Sequence, residues 1–171
     1  LPDVGAMRDH CKAMRAATLA NLSEHLEQFG RRALAAGAHV HWARNAAEAT
    51  AIVIGIARQH GAKLAVKSKS MTSEEIHLNA ALDEAGIAPV ETDLGEWIIQ
   101  LAAAAPAHIV VPALHKTRQQ VAELFTREVG RPLSAADIPA LTGEARRALR
   151  EKFLAAERGL SGANIGIAET G

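Results

Sequence analysis

The stretch "AKLAVKSKSMTSEE", residues 62–75, sets an apolar run against a basic, hydroxyl-rich junction and then a run of helical character. It spells a strand at 63–67, a polar junction, a capping pair of Thr72 with Glu75, and a helix. The same order recurs three times. "HVHWARNAAEA", from residue 39, reads as a strand around 39–43 followed by Asn45 and Glu48. "APVETDLGEW", from residue 88, reads as a strand at 88–91 followed by Asp93 and Glu96. "AHIVVPALHKTRQQ", from residue 107, reads as a strand at 107–111 followed by Thr117 and Gln120. One capping pair is weak evidence. Four in the same relation to an apolar strand point to βαβ units and an open, mostly parallel α/β sheet flanked by helices.

Outward from this core, residues 3–36 are rich in Ala, Leu, Arg and Glu. Leu19, Leu22, Leu26 and Phe29 recur at helical spacing. This predicts one or two amphipathic helices closed by Gly37. The division expected is an N-terminal helical region, 1–37, and an α/β domain, 38–171. Residues 130–160 read as helical segments broken at Pro132 and Pro139, and "ANIGIAE", 163–169, as a last strand. A chain that opens on Leu1 and stops at Gly171 reads as a piece of something longer.

Composition narrows the function classes. Nineteen basic residues balance nineteen acidic ones, so no overall field favours nucleic acid or an anionic membrane. Tyr is absent and Phe and Trp together number five (3 and 2), too few to build stacking platforms for single strands. The single cysteine, Cys11, can form no internal disulfide and cannot alone hold a metal centre; it is expected to pack as a small apolar residue. The apolar stretch Ile98–Leu114 is interrupted by Gln100, Pro106, His108 and Pro112, so no membrane span is expected. No basic segment followed by an apolar one opens the chain, so no signal peptide is expected.

In an open parallel sheet, ligands bind outside the carboxyl ends of the strands. That rule singles out the junctions. Lys67, Ser68, Lys69 and Ser70 precede a helix start, where free amides and the helix dipole favour a phosphate or carboxylate. A solvated basic turn is the competing reading. Glu91, at a strand end, suits acid–base work or pairing with Lys67 or Lys69, while Asp93 and Glu96 are expected to cap. His115 sits at the last junction, where an acid–base role and a capping role compete. Thr92, Lys116 and Thr170 complete the candidates for anion or substrate binding. His39 and His41 form an H-x-H pair, but no third ligand lies close in sequence, and no metal site is expected.

"VKSKSMTSEEIHLNAALDEAGIAPVETDLGEWIIQL" followed by "PAHIVVPALHKTRQQVAELF" resembles the core of the LUD domain of the lactate utilisation protein B family. "KSKSM", "ETDLGE" and "PALHKT" match in spacing, and "GANIGIAETG" resembles the start of the family's next strand. The resemblance implies a fold similar to the sugar-phosphate isomerase and coenzyme A transferase group. It also implies a bacterial, cytoplasmic oxidoreductase system that takes L-lactate to pyruvate by electron transfer. Members of this type carry a carboxy-terminal ferredoxin-like module whose cysteines hold iron–sulfur clusters. This chain lacks those cysteines, so no cofactor is expected in it, and clusters are expected in the full-length protein.

Two readings of function follow. In the first, the chain is the α/β domain of that iron–sulfur protein and meets a small 2-hydroxy or 2-oxo acid. The acid's carboxylate would face Lys67 and Lys69, with His115 or Glu91 near the hydroxyl. A base is present in the sequence and an electron acceptor is not, so the chain alone is expected to be inactive. In the second, it is a non-catalytic assembly domain docking the other lactate utilisation subunits. A homo-oligomer paired through an open sheet edge is compatible with either. Sugar-phosphate or coenzyme A-type binding follows only by fold analogy.

Overall fold

The computed structural model describes residues 3–171, which form two units. The first comprises residues 3–42 with Ala163–Gly171. Here Asp3 accepts hydrogen bonds from the Gly5 and Ala6 amides and starts helix α1, Val4–Ala20. Helix α2, Leu22–Ala35, follows after Asn21. It stops because Gly37 takes φ 91°, a left-handed geometry that closes a helix without Cβ strain. α1 buries none of its residues and leaves Val4, Met7, Met14 and Leu19 exposed. Cys11 is exposed too, contrary to its expected packing role.

The second unit, Ala43–Gly162, holds the sheet. Helix α3, Ala46–Gln59, starts where Asn45 accepts the Glu48 amide. Strand β1, Leu64–Lys67, leads to the short helices α4, Met71–Glu75, and α5, Leu78–Glu84. Strand β2, Ala88–Glu91, leads to helix α6, Leu94–Leu101, capped by Asp93. Helix α7, Arg118–Val129, carries the full reciprocal capping box of Thr117 and Gln120. Helix α8, Ile138–Ala155, is capped by Asp137, and strand β3, Arg158–Leu160, closes the series.

The sheet is open and wholly parallel, in the order β2-β1-β3. β1 pairs with β2 from Leu64↔Ala88 to Lys67↔Glu91 and with β3 from Ala65↔Arg158 to Lys67↔Leu160. Paired residues share a face and successive ones alternate. Ala65 therefore joins the cluster built by Leu78, Leu82, Ile87 and Ala57, under α3 and α5. On the other face Val90 packs against Trp97, Phe125, Leu141 and Leu149, under α6, α7 and α8. Trp97 and Phe125 centre this cluster, their rings 5.1 Å apart. Helices on both faces explain why the strands read as continuous apolar runs.

The outer edge of β2 is finished by a side chain. Gln100 Oε1 accepts from the Glu91 amide at 3.0 Å, and Gln100 Nε2 donates to the Pro89 carbonyl at 2.8 Å. These are the two bonds that one residue of a neighbouring parallel strand would make with its own N–H and C=O.

Several expectations are corrected. Residues 39–43 form no strand and Trp42 is exposed; among the described residues no ladder partner meets them. Residues 107–111 form no strand either. His108 Nδ1 accepts from the Val110 and Val111 amides, and the Ala107 amide donates to the Pro112 carbonyl, so the segment closes on itself. Residues 163–169 are irregular up to a turn in which the Gly171 amide meets the Ile167 carbonyl. Thr72 and Glu75 do not form the start of α4, which is capped two residues earlier by Ser70 accepting from the Ser73 amide. Pro139 does not break a helix. It lies in the first turn of α8, where an amide hydrogen has no helical partner.

Candidate functional site

The register Lys67↔Glu91 puts the last residues of β1 and β2 side by side on one face. Their side chains meet at 2.8 Å, Lys67 Nζ to Glu91 Oε1, with only 1% and 7% of each exposed. Both charges are out of water and each depends on the other. Lys67 Nζ also donates to Ser73 Oγ at 2.9 Å, and Ser73 Oγ donates onward to the Ser70 carbonyl at 2.8 Å. From α5, Asn79 Nδ2 donates to Glu91 Oε1 at 2.7 Å. Two buried acceptors then remain without partners: Asn79 Oδ1 and Glu91 Oε2.

These groups line one side of a cleft of about 450 Å³, whose other side is built by Glu96, Ile99 and Gln100 of α6 with Ala104 and Pro106 beyond it. The cleft lies at the carboxyl ends of parallel strands, where the fold rule places ligands. His77 borders it in a left-handed conformation, φ 53°, unusual for a residue with a Cβ.

Lys69 takes a different partner. Its ammonium donates to Glu96 and lies 4.0 Å from Glu74. Burial pulls its pKa down, but the Glu96 carboxylate, with Glu74 and Asp93 nearby, outweighs that and holds it above its ordinary value. Thr92 gives both its amide and its hydroxyl to the Lys67 carbonyl, at 2.9 and 3.0 Å. The exposed Ser68 gives its amide to the Leu160 carbonyl, and Ser70 caps α4. The candidates at the first two junctions are thus brought together, yet bound mainly to one another.

None of the remaining candidates is among the residues that line the cleft. His115 sits exposed in a turn and Lys116 follows it, half-buried; neither lines the cleft. Thr170 is exposed in the terminal turn of the first unit. His39 and His41 are exposed, and among the described residues no three His, Cys, Asp or Glu gather as a metal site. Ser73, Asn79 and Gln100 escaped the sequence reading because two lie inside short helices and the third at the far end of α6. Only the spacing of Ser73 after Ser70 carried a signal. Among the described residues no helix is long and apolar enough to cross a membrane.

A family model, that of the LUD domain, matches residues 26–171. The chain is 43% identical to "Lactate utilization protein B" of Macrococcus caseolyticus, over 96% of this chain and 34% of the relative. It is 42% identical to the protein of that name from Lysinibacillus sphaericus, over 100% of this chain and 36% of the relative. It is 41% identical to Escherichia coli "Uncharacterized electron transport protein YkgF", over 96% of this chain and 34% of the relative. The chain therefore spans about a third of the length of these relatives. No solved structure matches it.

Proposed function

The chain belongs to the LUD-domain family, and on that premise we propose that it is the α/β portion of a lactate utilisation protein, a component of the system that oxidises L-lactate to pyruvate. The observation that carries this reading is its identity, along nearly its whole length, with relatives of that name. A relative named as an electron transport protein agrees with a redox system.

Within the proposal, Glu91 is the carboxylate at the strand ends, and its unpartnered, buried Oε2 would have to turn into the cleft to accept a hydrogen bond from a substrate hydroxyl. A substrate carboxylate would have to share Lys67 with Glu91, or Lys69 with Glu96. The family implies iron–sulfur clusters, which take about four cysteine thiolates each. This chain has one cysteine, exposed on α1, and does not fit such a cluster. Clusters, partner subunits and electron transfer belong in this proposal to the full-length protein.

The test is growth on L-lactate. A bacterium stripped of its own lactate utilisation genes should regain growth when given the full-length protein with its partner subunits. Growth that stays absent, with the protein present at normal level, overturns the reading.

A second reading, an assembly domain without a substrate site, is favoured by the carboxylate partners on both junction lysines and by the unburied apolar residues of α1. Calorimetry separates the two. Binding of L-lactate or pyruvate that weakens in Lys69→Ala supports a substrate site. Binding of neither acid, with subunit assembly lost in Met7→Glu, supports the docking role.

A further inference from the structure

We propose that the exposed face of α1 docks an acidic amphipathic helix of a partner protein. This rests on the docking reading given above, adds the chemistry of the partner, and is independent of any substrate at the strand ends.

A helix of 17 residues normally owes its stability to packing one face against the rest of a fold. α1 buries none of its residues, and Val4, Met7, Met14 and Leu19 are each at least 50% exposed. Val4, Met7, Cys11 and Met14 succeed one another at intervals of three, four and three, the spacing that seats one helix along another. Cys11 is exposed in the middle of that seam, and Val4, Met7, Cys11 and Leu19 line one shallow groove. The two methionines can adapt to the shape of an incoming side chain. α1 carries no aromatic residue, and a seam this narrow fits a helix better than the broad apolar face that a bilayer takes.

Charge decides what kind of helix. Arg8, Lys12 and Arg15 line the same groove, and no carboxylate does. Among the described residues none of these three cations pairs with a carboxylate. Asp3, at the helix start, already accepts from the Gly5 and Ala6 amides. Three free cations beside an apolar seam call for carboxylates on the occupant. A second copy presenting this face would set like charges together, whereas an acidic helix sets opposite ones there.

The test uses two synthetic helical peptides of about three heptads, both with Leu along the seam, one flanked by Glu and the other by Lys. Binding is followed by calorimetry and by protection of Cys11, the single cysteine, from iodoacetamide. The Glu peptide should bind about tenfold tighter than the Lys peptide and shield Cys11. Met7→Glu, on an exposed residue, should weaken it about tenfold or more. Arg8→Glu combined with Arg15→Glu should reverse the order of the two peptides. Equal binding of both, or an order that the double variant leaves unchanged, overturns the proposal. Binding to phosphatidylglycerol vesicles alone overturns it in favour of a membrane surface. Self-association in sedimentation that excludes the peptide overturns it in favour of a second copy. Binding by this chain but not by the full-length protein also overturns it, because the face is then covered from within. If neither peptide binds while Met7→Glu still abolishes subunit assembly, the docking reading stands and the acidic helix falls.

Discussion

The carboxyl ends of β1 and β2 and the segment 107–117 read alike in the sequence, an apolar run followed by a polar junction and a capped helix. They end differently in the molecule. At the strand ends, Ala65 is 1% and Val66 7% exposed, and Lys67 and Glu91 are drawn in with them as a pair. In 107–117, Ile109, Val110 and Val111 are 63%, 72% and 47% exposed, and the amides of the two valines turn to His108. A helix cap forms in each place, by Asp93 and Thr117 as read and by Ser70 instead of Thr72 after β1. The strand does not, because a cap is satisfied within four residues whereas a strand needs a neighbour to complete its hydrogen bonds. Local signals of helix starts therefore carry over from sequence to structure better than signals of strands.

Substitutions can break or sharpen this contrast. Glu91→Ala strands a buried Lys67 charge and should cost about 3–5 kcal/mol in denaturant unfolding. A loss below about 1 kcal/mol would mean the pair does not hold the strand ends. Gly95→Ala tests how the second segment is anchored. A Cβ there would lie 2.9 Å from Pro112 Cγ, so about 1–3 kcal/mol should be lost as the loop is pushed off α6. An unchanged unfolding midpoint would show that Pro112 gives way freely.

Acidification probes the start of the sheet. The Leu64 amide first, then those of Lys63 and Glu157 itself, hold the Glu157 carboxyl below the usual carboxylate range. The folded chain thus takes up this proton at lower pH than the unfolded one. The contribution is whole above the ordinary carboxylate value and is lost as pH falls through the depressed one. Unfolding followed from about pH 6 down to about pH 3 should show a shallower acid-side fall in Glu157→Gln than in the parent. The smallest effect is expected from His108→Ala, at most about 0.5 kcal/mol of global stability. Amide exchange at Val110 and Val111 should nonetheless quicken, and protection equal to the parent's would remove His108 as the reason that no strand forms there.

Much of the fold was legible because its causes are local. β1 and β2 fall within a residue of the strands read at 63–67 and 88–91. Asn45, Asp93 and Thr117 cap the helices assigned to them. β3 was not legible, since "RGL" has no strand pattern of its own and owes its state to pairing with Ala65–Lys67, more than ninety positions away. At the site, Lys67 and Glu91 stood out as polar residues at strand ends, and even their pairing was foreseeable. The register that makes them direct neighbours was not, nor was Asn79, which reaches Glu91 from the first turn of α5. His115 was singled out for its place after a strand, and without that strand it has no crevice to face.

The Gln100 amide has a consequence outside the folded monomer. A bare strand edge recruits other chains, and β2 would otherwise offer the Glu91 N–H and the Pro89 C=O to any extended peptide that drifted past. One glutamine near the end of α6 answers both groups at once. The helix that covers one face of the sheet thereby also guards its margin, and at β2 protection from aggregation comes from a side chain instead of a charge, a bulge or another strand.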